Sequence, residues 1–366
     1  MSRRKDALNA LSACLSFAET APGSLTLDEQ SWMQALRIAN SHLLGALLWD
    51  RLQETGRSTQ LPAPALEYLR LLSDRNAMRN AALRQQAEEI VTALNEAGIV
   101  PLLLKGANTL FDPADPLWRG RMQRDLDLLV PRRFQDKAVT ALLSLGYRVH
   151  ERYPNGHHAY GEFAREGAPG TVDLHSELLD PVHLLRADEV RRRSRPLAHS
   201  ALVASTPCAS DRILHHLLHA QIHHRGQFYR GELQLNQLFE FAVLAQRFGS
   251  EVDWNFIEAR LTAHRLTVPL QSYLLAAGDL FGLRWPLAAP PVAAARRQLH
   301  LCIWLLHYPE AARALAPFAN LRSAFAWHRM QALYGPDENA LLQRLRHARL
   351  YLGKVSPRQA MQRVLR

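Results

Sequence analysis

Two short apolar runs interrupt a chain that otherwise carries helical spacing, and the second bears a pair of aspartates. Ile99–Leu104 and Leu126–Val130 are short and continuously apolar, so each predicts a strand buried on both faces. Between them, residues 112–124 hold Pro113, Pro116 and Gly120 together with Arg119, Arg121 and Arg124, which predicts a loop. Asp125 and Asp127 open the second run. On a strand, residues i and i+2 share a face, so these two carboxylates project together while Leu126 and Leu128 pack the other way. A fold built around such a pair has to supply a cation to balance it.

The flanks read differently. Apolar residues recur three and four apart over 5–20, 28–55 and 65–97, so all three predict helices. The texture changes at Gly98. Ala107–Phe111 predicts a turn or two of helix, and 132–145 a longer helix with Gly146 at its C′ position. Residues 147–152 predict a strand, and 157–164 with 171–177 a hairpin pair around Glu166–Gly170. Beyond Pro181 helical spacing returns over 183–195, 211–224, 232–248, 254–263, 267–281, 292–306, 309–332 and 337–352. The expected class is α/β (α+β). A small mixed-sheet domain over 98–181 would be flanked by helical regions over 1–97 and 182–366.

Composition narrows the function classes. The net charge is +10 and Arg far outnumbers Lys, which fits a nucleic acid, a nucleotide or another anionic partner, or simply a solvated basic surface. Cys14, Cys208 and Cys302 lie far apart with no CxxC pair. That argues against a disulfide framework or a cysteine zinc site and fits a reducing cytoplasm. No apolar run approaches the ~20 residues that span a bilayer, so no membrane partner is expected. Near the N-terminus Asp6 and Asn9 interrupt Leu8, Leu11 and Leu15, a pattern of an amphipathic helix rather than a signal peptide. Ala340–Arg366 carries seven Lys or Arg and no acid, a basic helix or tail with only Tyr351 to stack on a base.

Several residues can carry chemistry. A divalent metal with hard oxygen ligands, above all Mg²⁺, suits Asp125 and Asp127, and it also binds triphosphate oxygens. A site for two ions needs a further carboxylate, and Asp173 on a separate predicted strand can supply it. Lys105-Gly106 ends the first strand just before a helix. Glycine there lets backbone approach a phosphate and the lysine adds a charge, although an ordinary strand-to-helix turn reads the same way. Arg121 either stabilises charge on a triphosphate or pairs with Asp125 or Asp127. His175 shares a face with Asp173, to touch a phosphate or acceptor or to orient that acid. His215, His219 and His223 fall on one helix face. That spacing can bind zinc, but a face packed against the central domain accounts for it equally, and no glutamate completes an HExxH motif.

Taken in order, Leu104-Lys105-Gly106, Arg121, Asp125-Leu126-Asp127-Leu128-Leu129-Val130, Leu145-Gly146-Tyr147 and Val172-Asp173-Leu174-His175 resemble an uncharacterised bacterial nucleotidyltransferase family of the DNA polymerase β-like superfamily. The resemblance covers residues 76–178 closely and continues loosely around Leu214–His219. It implies a small mixed sheet flanked by helices and Mg²⁺-dependent transfer of a nucleotide monophosphate from an NTP such as ATP. Asp125 and Asp127 would bind both of two Mg²⁺ ions, and Asp173 would bind the catalytic ion and help activate the acceptor hydroxyl. Lys105 and Gly106 would face the triphosphate. The acceptor is left open among a small molecule, a peptide, a protein and an RNA. The wider superfamily carries Gly-Ser after its first strand, whereas this chain has Lys-Gly-Ala and no hydroxyl. A non-catalytic nucleotide-, RNA- or protein-binding module on a degenerate form of the fold is the competing reading.

Overall fold

The computed structural model describes residues 2–18, 27–112, 115–154, 157–197, 201–223, 226–334 and 339–353. The basic tail beyond residue 353, the last residues of the helix expected over 5–20, and His224 at the end of the helix expected over 211–224 lie outside the described residues.

The N-terminal part is helical: α1 (Ser2–Leu15), α2 (Glu29–Ser41), α3 (Gly45–Glu54) and α4 (Ala63–Glu96). The single helix expected over 28–55 is two. Asp28 caps α2 by accepting from the Ser31 amide at 2.7 Å. Leu43 then takes a left-handed φ of 54°, which breaks the rod and turns α3 back. The break lets Trp32, Leu36 and Ile38 share one core with Leu44, Leu47 and Leu48. α4 runs for 34 residues and serves two cores. Its Leu69 joins the N-terminal helices, while Leu83, Ala87, Ile90, Val91 and Leu94 pack under the sheet.

The central sheet begins with β1 (Leu102–Leu103), followed by α5 (Lys105–Thr109), β2 (Asp125–Leu129), α6 (Gln135–Ser144), β3 (Arg148–Arg152), β4 (Ala159–Ala164) and β5 (Thr171–His175). The expected strand over 99–104 is thus only two residues long, because Lys105 already turns the chain into α5. After β5 come α7 (Ala187–Arg193), β6 (Arg195–Pro196) and β7 (Ser205–Thr206). The helix expected over 183–195 stops at Arg193, since Pro196 forces the residue before it out of the helical region. The two short strands that follow carry no alternating pattern and were not expected.

Among the described residues the sheet has seven strands in the order β3-β4-β5-β2-β1-β7-β6. β2 runs parallel to β5 and antiparallel to β1. Leu126 and Leu128 of β2 and Val172 and Leu174 of β5 face the core formed with α4 and α6. Asp127 therefore points to the opposite face, toward the C-terminal helices.

Those helices are α8 (Ala209–Leu218), which runs on into a π-turn at His219–His223, then α9 (Gln227–Arg230), α10 (Leu235–Phe248), α11 (Trp254–Ala263), α12 (Thr267–Phe281), α13 (Ala293–His307), α14 (Pro309–Ala324), α15 (Trp327–Tyr334) and α16 (Ala340–Gly353). Leu214, Phe239, Tyr273 and Phe281 pack into the same core as α1 to α3. The fold is a mixed α/β sheet flanked on either side in sequence by helices. No helix among the described residues is long and apolar enough to cross a membrane.

Candidate active site

β2 and β5 set the site. Their parallel register pairs Asp125 with Thr171, Asp127 with Asp173, and Leu129 with His175. The side chains of Asp125, Asp127, Asp173 and His175 consequently leave the sheet on one face. Asp127 is only 2% exposed, Asp125 and Asp173 are partly exposed, and His175 is buried. Ligand atoms of Asp127, Asp173 and His175 lie within 4.8 Å of one another.

Asp127 is the hub. Its Oδ1 accepts from Lys105 Nζ at 2.7 Å and stands 2.9 Å from His175 Nε2. His175 thus bonds Asp127, not the Asp173 whose face it shares. Lys105 likewise turns to the carboxylate; its φ of 45° is a left-handed conformation that costs a non-glycine residue about 1–2 kcal/mol.

The three acids are held in different states. Burial alone would raise Asp127, but Lys105 and the His175 hydrogen bond outweigh it and hold this carboxyl well below the usual range. Burial, and then the neighbouring Asp127, raise Asp125. Burial pushes Asp173 up to about 6. Its Oδ1 is buried without a hydrogen-bond partner. Burial would lower Lys105, yet the Asp127 charge more than compensates and raises the ammonium.

The loop before β2 is pinned rather than loose. Asn80 Nδ2 on α4 donates to the carbonyls of Trp118 (2.9 Å) and Arg121 (3.0 Å), Asn76 Nδ2 to that of Arg119 (2.5 Å). Arg121 pairs with neither Asp125 nor Asp127. Its Nε donates to Glu240 Oε2 on α10 at 3.0 Å, and its Nη1 donates to Gln123 Oε1 at 2.7 Å. These two side chains lie directly over Gly106, where an added Cβ would meet Gln123 Oε1 at 1.7 Å and Arg121 Nη1 at 1.9 Å. A cleft lined by Lys105, Arg121, His215, His216, His219 and Glu240 opens beside this turn.

Sequence reasoning missed Asn76, Asn80 and Glu240. A signal existed for each: two asparagines four apart on the inner face of α4, and one glutamate in the apolar LNQLFEFAVLAQ stretch. The histidine face of α8 packs as a wall. His215 Nε2 stands 3.3 Å from the Leu178 carbonyl, and His223 Nδ1 is 3.2 Å from that of Asp180. Burial lowers His215 well below the ordinary imidazole range and brings His223 down to about 4. Among the described residues these three histidines form no metal-sized group of their own.

The model of the family described as uncharacterised nucleotidyltransferase matches residues 28–282, well over half of the chain. The chain belongs to this family. No curated protein matches it. Among solved structures it is similar to the antibiotic-resistance factor ANT(2'')-Ia, at 13% identity and a TM-score of 0.36, over 52% of this chain and 92% of that one. A likeness of that degree adds nothing to the argument.

The donor set of this nucleotidyltransferase family member fits a hard divalent cation. Asp125, Asp127 and Asp173 offer carboxylate oxygens on one face, and one of those oxygens is buried without a partner. Lys105 already balances part of their charge.

Proposed function

We propose that the protein transfers a nucleotide monophosphate from an NTP to a hydroxyl acceptor, with Mg²⁺ held by Asp125, Asp127 and Asp173. The observation that carries this reading is the Asp127–Asp173 register pair with an unpartnered buried oxygen on Asp173. A structural acid buried in that way would cost stability without return, whereas a ligand acid has a use for it. Bound ions would polarise the α-phosphate and lower the pKa of the attacking hydroxyl.

The acceptor oxygen attacks the α-phosphorus in line, a new P–O bond forms, the bond to the β-phosphate bridging oxygen breaks, and pyrophosphate leaves. Asp173 takes the hydroxyl proton as that bond forms. Arg121 and Lys105 supply positive charge for the departing pyrophosphate, and Gly106 lets the backbone lie against it. His175 fixes the orientation of Asp127.

One observation favours the competing reading of a non-catalytic binder: Lys105 occupies an oxygen of Asp127, and Arg121 with Gln123 covers Gly106. Both readings are separated by incubating the protein with α-labelled NTPs, Mg²⁺ and a cell extract. Transfer predicts a labelled acceptor that disappears with Asp127→Asn. A binder instead takes up NTP in calorimetry regardless of Mg²⁺ and of the acids, and labels nothing.

A further inference from the structure

We infer that the chain carries a second, histidine-based metal site, formed by His157, His158 and Asp180, and that it takes Zn²⁺. His157 and His158 lie where the chain enters β4, and Asp180 lies in the loop after β5. One ligand atom from each residue lies within 4.8 Å of the other two. Asp180 Oδ2 is 2.7 Å from His158 Nδ1 and 3.9 Å from His157 Nε2. Around a tetrahedral zinc with bonds of about 2.0–2.1 Å, donor atoms stand about 3.3 Å apart. The two separations bracket that value, so an ion needs only small side-chain rotations.

His157 supplies the second imidazole of the group. His158 already hydrogen-bonds the Asp180 carboxylate, while His157 stops short of hydrogen-bond distance yet aims Nε2 at the same oxygen. Its Nδ1 is engaged by the backbone of Ala159, 3.3 Å from the carbonyl and 3.2 Å from the amide nitrogen. In the tautomer whose Nδ1–H donates to the Ala159 carbonyl, the Nε2 lone pair is left for a metal, the usual arrangement of a ligating histidine; the tautomer that accepts from the Ala159 amide must first give up its Nε2 proton. The Tyr153 ring lies tilted against His157 at 4.6 Å, and His223 meets His158 edge-on at 4.6 Å, so both imidazoles are held in place. Imidazole nitrogen suits Zn²⁺ and not Mg²⁺, which separates this site from the acidic one.

The ion braces the entry to β4 against the loop after β5. The His158 ring lies 5.3 Å from that of His175, which in turn bonds Asp127. The zinc therefore sits one ring away from the acidic face and fixes its rim. Three protein ligands leave a fourth position for water. The site does not depend on nucleotidyl transfer.

The test is a calorimetric titration of chelator-stripped full-length protein with Zn²⁺ in excess Mg²⁺, repeated with Co²⁺ to read ligand-field absorption. The expected result is one Zn²⁺ per chain, a tetrahedral Co²⁺ spectrum, and affinity weakened at least about tenfold by His157→Ala and retained by Asp127→Asn. His157 is partly exposed, so its removal leaves the fold intact, which circular dichroism checks. His158→Ala gives the same loss. Absence of Zn²⁺ binding, or binding that survives His157→Ala and vanishes with Asp127→Asn, overturns the inference.

Discussion

Asp127 and Asp173 face each other across the parallel ladder of β2 and β5, yet one is held ionised and the other is pushed toward its protonated form. The difference lies in their partners. Asp127 has Lys105 and His175, whereas Asp173 has a buried oxygen with none.

This asymmetry predicts a pH effect. The folded-state pKa of Asp173, about 6, exceeds its ordinary value of 3.8, so the native state binds more protons between those limits. Its contribution to stability therefore falls as pH rises from about 4 to about 6 and stays low above. Asp173→Asn should stabilise the metal-free protein at neutral pH by about 1–2 kcal/mol, after allowance for partial solvation. Denaturant titrations of both proteins across that pH range check it. Mg²⁺ should stabilise the parent protein more than the variant, which keeps only Asp125 and Asp127 as ligands, and an unaltered pH dependence would show that Asp173 titrates normally.

Lys105 gives a prediction of opposite sign for two ligands. Its ammonium lies on Asp127, so Lys105→Met should tighten Mg²⁺ binding by roughly tenfold by removing a competing charge. The same change should weaken NTP binding, because the triphosphate loses a cation. Calorimetry with each ligand separately decides it; a variant that binds both more weakly contradicts the assignment.

The Arg121–Glu240 pair ties the loop before β2 to α10. Glu240 is 5% exposed, so Arg121→Ala leaves a buried charge without a partner and should cost about 3 kcal/mol. Combining it with Glu240→Leu should recover part of that loss, a coupling that a double-mutant cycle measures in urea midpoints. Additive losses would mean that the pair contributes nothing as a pair.

Gly106→Ala probes the turn without touching a charge. The added methyl would strike only the ends of the Gln123 and Arg121 side chains, which can swing away. Stability should fall by about 1–3 kcal/mol, because the buried Gln123 and the Glu240-paired Arg121 must shift together, while Arg121 Nη1 is displaced from the turn. The expected readout is a raised KM for NTP with a modestly lowered unfolding midpoint.

Much of the acidic face was legible in the chain. The apolar frame of Leu126 and Leu128 announced β2, and period two alone put Asp125 and Asp127 on its other side. What period cannot reveal is register. That Asp127 lies opposite Asp173 depends on pairing between segments more than forty residues apart, and local spacing is silent on it. The same reason hid Glu240 behind Arg121, and Asp180 behind His158, since each pair joins distant elements. β6 and β7 escaped notice because two-residue strands have no period to detect. Leu43 escaped because a leucine gives no warning of a left-handed turn.

The ammonium of Lys105 gives the site a resident counter-ion. Filling the site is then an exchange rather than an addition: an arriving Mg²⁺ must displace a tethered cation that cannot diffuse away. The displaced ammonium, swinging on its own stem, is free to meet the anion that accompanies the metal. Metal and nucleotide would thereby be coupled through a single side chain, with neither seated fully until the other arrives.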